Sequence, residues 1–330
     1  MRVAVLSAGS WGTALGLLLV DNGNSVCLWS AEPDVVDDLR RNRQNSRYLP
    51  GYRFAGEVAA TGSMAEAVEG AEAVVLAVPS GVVRLVAGEL AKVLAGRPLL
   101  VNAGKGLESD TGLRMSQVLA EALQDAGEGC VALSGPNLAV ELARQAPTAT
   151  VVASADEARA VAAQRLLSCS YLRVYWSSDV AGVELGGALK NVLAIGAGIC
   201  DGLGYGDNTK AALVTRGLVE MMRLGEALGA QRRTFMGLAG VGDLMATCAS
   251  RLSRNLRVGM ALGRGMTLAE AVAEVEQVAE GVPTCNAARN LAVSLGIEAP
   301  ITEQLHRVLF EGKPAKAAVA DLMLREPKEE

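Results

Sequence analysis

The stretch "RVAVLSAGSWG" at residues 2–12 constrains this chain more than any other. Residues 2–6 read as a short buried strand, residues 7–12 as a tight glycine-bearing turn, and residues 12–21 as a helix. A second strand follows at 25–29, "SVCLW". Strand, glycine turn, helix, strand is the opening of a dinucleotide-binding fold. The helix amino terminus offers N–H groups without intrahelical partners, and the glycines let backbone come close to a pyrophosphate. Gly9 and Gly12 fill the last two positions of G-x-G-x-x-G. Gly9 lets the backbone approach the anion, and Gly12 lets helix pack on strand. Ser7 stands at the first position, where the turn asks for a backbone angle that glycine adopts more readily. Ser10 and Trp11 fall within the turn, Trp11 serving both as a packing residue and as an N–H donor beside the pyrophosphate.

Strand and helix signals keep alternating as far as about residue 180. A polar helix is expected at 33–45. Strands are expected at 70–80, 98–101, 130–133, 148–153 and 171–175, with helices at 82–94 and near 156–167. Repeated strand–helix units predict a mostly parallel sheet covered on both faces. Beyond 180 the spacing turns helical, at 180–199, 208–229, 283–295 and 300–309. "GLGYGDN" (202–208) and "GLAGVGD" (237–243) read as loops between helices. The fold class is therefore α/β: a Rossmann-type domain over 1–180, then an all-helical substrate and catalytic domain over 181–330. With aromatics at 3% of the residues, the cores must be built from Ala, Val and Leu.

Charge and cysteine usage remove several function classes. The net charge of -5, with no basic block, argues against binding nucleic acid through its backbone. Six scattered cysteines without a CxxC pair read as free, buried thiols. A single histidine and no clustered cysteine ligands argue against a zinc dehydrogenase. The start reads directly into a strand, with no signal peptide and no uninterrupted apolar run of membrane length, so a cytoplasmic protein without stable membrane insertion is expected.

Carbonyl reduction needs a held hydride donor, a proton source and polarisation of the oxygen. Lys190, in the small and apolar stretch "ELGGALKNVLAIGAG", is the best proton source, because a charge is costly to bury without a purpose. Its plain alternative is a lysine whose head reaches water. Lys105 in "NAGKGLE" can touch substrate, orient Lys190 or simply face solvent. Ser134, Gly135, Pro136 and Asn137 form a strand-end loop able to approach a small ligand. Asp243 can orient Lys190 or bind a hydroxyl. Ser253, Arg254 and Asn255 bring together a hydroxyl, a guanidinium suited to phosphate, and an amide, though Ser253 also fits a helix cap. Pro79 sits in a strand-end loop on the expected nicotinamide side. Glu32, just past the second strand, is placed to hold ribose hydroxyls and repel a 2′-phosphate, whereas Arg40, Arg41 and Arg43 could neutralise one.

Taken together, "GSWGTALG", "KGLE", "SGPNLAVE", "GVELGGALKNVLAIGAG", "GLGYGDNTKAALVTRGLVEM", "GLAGVGDLMATC" and "SRN" closely resemble the bacterial-type NAD(P)-dependent glycerol-3-phosphate dehydrogenases, over essentially the whole chain. The resemblance implies Lys190 as general acid and base, with Lys105 and Asp243 in the catalytic group. It places Lys105, Gly135, Asn137, Lys190, Asp243, Ser253, Arg254 and Asn255 at the substrate. It places Ser10, Trp11, Lys105, Ala139, Arg254, Val278 and Glu280 at the nucleotide. The implied reaction is reversible reduction of dihydroxyacetone phosphate to sn-glycerol 3-phosphate by NADH or NADPH, without a metal, for phospholipid synthesis. Ser7, Ala31 and Asn137 depart from the family pattern: Ala31 stands where many relatives carry a basic residue, and Asn137 where Ser or Thr is common. Ala31 with Glu32 tilts the expectation towards NADH. A homodimer through the long apolar helices is compatible with the sequence. Dehydrogenases of 2-hydroxy acids or phosphogluconate share the plan, and a nucleotide sensor without catalysis would need neither Lys190 nor Asp243.

Overall fold

The computed structural model describes every residue except Glu57, Glu276, Gln277, Lys328 and Glu330. The chain forms two compact units, Met1–Lys105 with Arg114–Glu184, and Gly106–Leu113 with Leu185–Glu330.

The first unit carries β1 (Arg2–Leu6), α1 (Ser10–Asp21), β2 (Ser25–Trp29), α2 (Pro33–Asn42), β3 (Gln44–Asn45), β4 (Leu49–Arg53), β5 (Ala59–Thr61), α3 (Met64–Val68), β6 (Ala73–Leu76) and α4 (Val83–Ala91). It continues through β7 (Leu99–Asn102), α5 (Met115–Leu123), β8 (Val131–Ser134), α6 (Ala139–Ala143), β9 (Thr148–Ala153), α7 (Glu157–Leu167) and β10 (Leu172–Ser177). Eight strands form one sheet in the order β10-β9-β8-β7-β6-β1-β2-β5. Every pairing is parallel except β8 with β9. Strands β6, β7 and β8 are buried along their whole length, as parallel strands covered on both faces must be. Their core is aliphatic, with Val3, Val5, Leu15, Leu28, Val75, Val101 and Val131 among its members.

The polar helix expected at 33–45 ends earlier. Arg43 takes a left-handed conformation at φ 55 and closes α2, and Gln44 opens a two-stranded antiparallel pair with β4. The strands β3, β4 and β5 carry no alternating apolar pattern long enough to announce them.

Helix α8 (Val180–Gly202) begins in the first unit and runs on into the second. The second unit continues with α9 (Asp207–Ala227), α10 (Arg232–Phe235), α11 (Asp243–Ala249), α12 (Arg254–Gly263), α13 (Leu268–Val275), α14 (Gly281–Ser294), α15 (Pro300–Phe310) and α16 (Ala315–Met323). Glycine brings α8 and α12 together: a Cβ on Gly198 would lie 2.1 Å from the Leu256 carbonyl oxygen, and one on Gly259 would lie 2.0 Å from that of Ile195. Backbone touches backbone there, which fixes the start of α12 against the middle of α8. Residues 237–243, expected to be a loop, instead hold a π-helical turn at Leu238–Gly242 leading straight into α11. Such turns accommodate one extra residue and re-aim the helix that follows. Among the described residues α8 alone is long and apolar enough to cross a bilayer, and its apolar window is wholly buried in the protein. All six cysteines are free; five are buried and Cys169 is half-buried.

Candidate active site

The nucleotide turn keeps a glycine geometry despite its serine. Ser7 sits at φ 98, a region that side chains avoid at a cost of about 1–3 kcal/mol. Its N–H donates to the Trp29 carbonyl at 3.1 Å. Its hydroxyl accepts from the Gly9 N–H at 3.3 Å. Its carbonyl oxygen lies where a Cβ on Gly12 would come within 1.9 Å, so only glycine fits at position 12. The helix starts earlier than expected: Ser10 and Trp11 lie in the first turn of α1 and not in the loop before it. Gly9 is the residue preceding it and no side chain caps this end, which leaves the first-turn N–H groups to an anion. The Ser10 hydroxyl donates to the Tyr48 carbonyl at 2.6 Å, tying the turn to the segment before β4.

That segment carries the charge beside Glu32. The Tyr48 hydroxyl donates to the Glu32 carboxylate at 2.8 Å, and Arg47 pairs with Glu32 at 2.8 Å and with Asp34 at 2.9 Å. Burial and the neighbouring Glu32 raise the Tyr48 phenol above its ordinary value. The arginines weighed from the sequence are engaged elsewhere or lie at the helix end. Arg40 donates to the Ala60 carbonyl at 2.7 Å, Arg41 pairs with Asp37 within its own helix, and Arg43 closes α2. Arg47 is the cation beside Glu32, and the sequence reading missed it.

Loops at strand ends supply the next group. Pro79 is half-buried three residues after the end of β6, at the head of a short 3-10 turn. Lys105 donates to the Gly135 carbonyl at 2.8 Å, joining the loop after β7 to the loop after β8. Gly135 is at φ 144 and a Cβ there would meet Thr150 Oγ1 at 2.9 Å. Asn137 follows in that loop, and Ala139 opens α6. Two polar atoms of this loop, Ser134 Oγ and the Asn137 amide nitrogen, are buried without a protein partner.

In the second unit, Lys190 is buried on α8, and its Nζ donates to Asp243 Oδ1 and to Thr247 Oγ1, both at 2.6 Å. The Thr247 hydroxyl gives its own proton to the Asp243 carbonyl at 2.7 Å, so it meets the lysine as an acceptor. Asp243 is 1% and Thr247 5% exposed, which leaves this ion pair nearly dry. Cys248 beside it is inert, its thiol pushed up to about 12 by burial against the pull of Lys190.

Arg254 and Asn255 open α12 behind Ser253. Ser253 caps the helix, its hydroxyl accepting from the Leu256 N–H at 3.2 Å. Asn255 is buried and uses both ends of its amide: Oδ1 accepts from the Gly281 N–H and Nδ2 donates to Asn191 Oδ1, each at 2.9 Å. This chain of bonds ties the start of α14 to the residue after Lys190. Arg254 is exposed, and the Glu280 carboxylate is the charge that acts on it. Glu280 precedes α14 and Val278 is exposed just before it.

Residues 2–160 match the family model for the NAD-dependent glycerol-3-phosphate dehydrogenase N-terminus, and residues 179–320 match the model for its C-terminus. The chain belongs to the NAD-dependent glycerol-3-phosphate dehydrogenase family. Its relatives include the glycerol-3-phosphate dehydrogenases (NAD(P)+) of Geobacter metallireducens, 52% identical, and Geobacter sulfurreducens, 51% identical. Each match spans all of this chain and 98% of the relative. A crystal structure of glycerol-3-phosphate dehydrogenase from Coxiella burnetii shares 39% identity and a TM-score of 0.94, over 98% of this chain and 99% of that one.

The residues present fit a dinucleotide, since the start of α1 has no side-chain cap and Gly9 before it leaves room for an anion to approach the backbone. Among the described residues no three His, Cys, Asp or Glu side chains gather as metal ligands would. Sequence reading missed Thr247, Asn191, Arg47, Tyr48 and Thr150. Thr247 carried a usable signal, because it stands four residues after Asp243 and one helical turn puts both on one face.

Proposed function

We propose that this chain reduces dihydroxyacetone phosphate reversibly to sn-glycerol 3-phosphate with NADH or NADPH, and that Lys190 is its general acid. The observation that carries the assignment is the buried Lys190–Asp243–Thr247 cluster, in a chain that matches this dehydrogenase family from end to end. Asp243 and Thr247 accept from its ammonium and hold it in one orientation. Lys190 delivers a proton to the C2 oxygen of the ketone and takes it back from the alcohol in reverse. Asp243 keeps the lysine in place and balances its charge. The nicotinamide supplies a hydride to C2 when bound.

The turn at Gly9–Gly12 and the start of α1, with Ser10 and Trp11, hold the pyrophosphate, and Glu32 takes the ribose hydroxyls. Pro79, Ala139, Val278 and Glu280 complete the nucleotide contacts. Lys105, Gly135 and Asn137 contact substrate. Arg254, at the head of a ten-residue helix, binds the phosphate with a forked donor set. Ser253 and Asn255 fix α12 through these bonds and meet substrate with the donors they have left, the Ser253 proton and the second Asn255 N–H.

The test is NADH and NADPH oxidation with dihydroxyacetone phosphate present or absent, with Lys190→Ala run beside the natural chain. Turnover that needs the phosphate ester and disappears in the variant is the expected result. A folded, cofactor-binding protein that reduces 2-oxo acids instead, or nothing, refutes the assignment.

A further inference from the structure

Hydrogen counting around Thr150 decides which way the Asn137 amide faces. Thr150 Oγ1 is buried on β9, 2.8 Å from the Ser134 carbonyl oxygen and 2.9 Å from the atom placed as Asn137 Oδ1. Both neighbours are then acceptors, and a hydroxyl has one proton to give. One of them would face the Thr150 oxygen lone pair to lone pair, while the Asn137 NH2 group lies buried with no partner. The two ends of a carboxamide have the same shape, so the hydrogen-bond network assigns them. Turning the amide over removes the conflict. Asn137 Nδ2 donates to Thr150 Oγ1, Thr150 donates to the Ser134 carbonyl, and the amide oxygen takes the buried position that lacked a partner. What remains unmet is the amide oxygen and one N–H, in place of two N–H bonds and a lone-pair clash.

We propose that Asn137 presents this carbonyl oxygen to the C1 hydroxyl of the substrate and so selects a 1-hydroxy ketone phosphate. The inference rests on the reading of the 134–137 loop as a substrate contact. In dihydroxyacetone phosphate the ketone oxygen and the dianionic phosphate only accept, and the C1 hydroxyl is the group that donates. An acceptor at Asn137 therefore repels the phosphate and rewards the hydroxyl. Ser134 Oγ, at the end of β8, is another buried polar atom without a partner. Bulk water does not reach this end of the Asn137 amide, so a hydroxyl bonded there has no competing water. Gly135 preserves the arrangement, because a side chain there would strike Thr150 Oγ1.

The experiment compares kcat/KM for dihydroxyacetone phosphate and for its 1-deoxy analogue, hydroxyacetone phosphate, with NADH. The natural full-length chain, Asn137→Ala and Thr150→Val are assayed side by side, and folding is checked by thermal melting. The natural chain should prefer the hydroxylated substrate by at least about tenfold, as sites that read a hydroxyl do. Asn137→Ala should lower that ratio roughly tenfold, the loss falling on dihydroxyacetone phosphate. Thr150→Val, which frees the amide to turn, should lower it part of the way. Equal losses on both substrates in Asn137→Ala, the pattern of a phosphate contact or of a structural residue, overturn the proposal. If Asn137→Ala does not fold, an unmoved ratio in Thr150→Val overturns it. A natural chain inactive on dihydroxyacetone phosphate removes the underlying reading and this inference with it.

Discussion

Replacing Asp243 by Asn keeps the volume of the side chain and removes its charge. Lys190, with only 7% of its side chain exposed, would then hold a buried ammonium with no carboxylate 2.6 Å away. Breaking a buried pair from one side costs about 3–5 kcal/mol, because the surviving charge stays desolvated. Lys190→Met makes the mirror-image change and strands the carboxylate. For a unit of roughly 150 residues, each kcal/mol moves the melting midpoint by about 2–4 °C, so either single variant should lose roughly 6–20 °C. The double variant Lys190→Met with Asp243→Asn has no stranded charge and should lose about 3 kcal/mol less than the sum of the singles. Urea unfolding followed by far-UV circular dichroism reads the helices. Tryptophan fluorescence is an internal control, since Trp11, Trp29 and Trp176 all belong to the first unit. All three variants should also lack turnover. Singles within 1 kcal/mol of the natural chain, or a double equal to their sum, would refute the coupling inferred from the geometry.

Two further outcomes follow from charges elsewhere in the molecule. Glu32→Gln should raise the kcat/KM ratio of NADPH to NADH, and Arg47→Ala should lower it, each by a few-fold because the pair is exposed to solvent; ratios that move in the opposite senses remove Glu32 and Arg47 from the ribose site. Burial pushes the Glu220 carboxyl above its ordinary value of 4.5, although it accepts from the Ile301 and Thr302 N–H groups at the start of α15. The unfolded chain then releases this proton before the native chain does, so its contribution is full below 4.5 and is lost as pH rises through the native value. The melting temperature of the natural chain relative to Glu220→Gln should fall across that interval and level off above it. A flat difference between the two profiles contradicts the raised value.

Much of the first unit could be read from the chain because its central strands are buried on both faces and therefore apolar without interruption. Lys190 was legible for a related reason, as a charge set among alanines and glycines. The conformation of Ser7 was not, because it goes with packing that the sequence does not display, against Gly12 and the Trp29 carbonyl. The structural bonds of Asn255, to the Gly281 N–H and to Asn191 Oδ1, were not legible either, because both partners are far away in sequence. Arg47 escaped because it lies beyond a helix that ends three residues sooner than its polar pattern suggested. The π-helical turn before Asp243 escaped because three glycines in seven residues signal a loop to any reading of propensity.

The segment Gly106–Leu113 groups with the second unit although the chain on both sides of it belongs to the first. Gly112 in that segment lies against Leu291 of α14, where an added Cβ would come within 3.0 Å. During synthesis the segment leaves the ribosome long before α14 exists. The first unit can therefore complete its sheet while this piece waits, and its last neighbours are set only when nearly the whole chain has been made. Contacts so distant in sequence form slowly. Cutting the gene after Glu184 would deprive the helical half of a part of itself, so the two halves are joined at the level of folding as well as by a continuous chain.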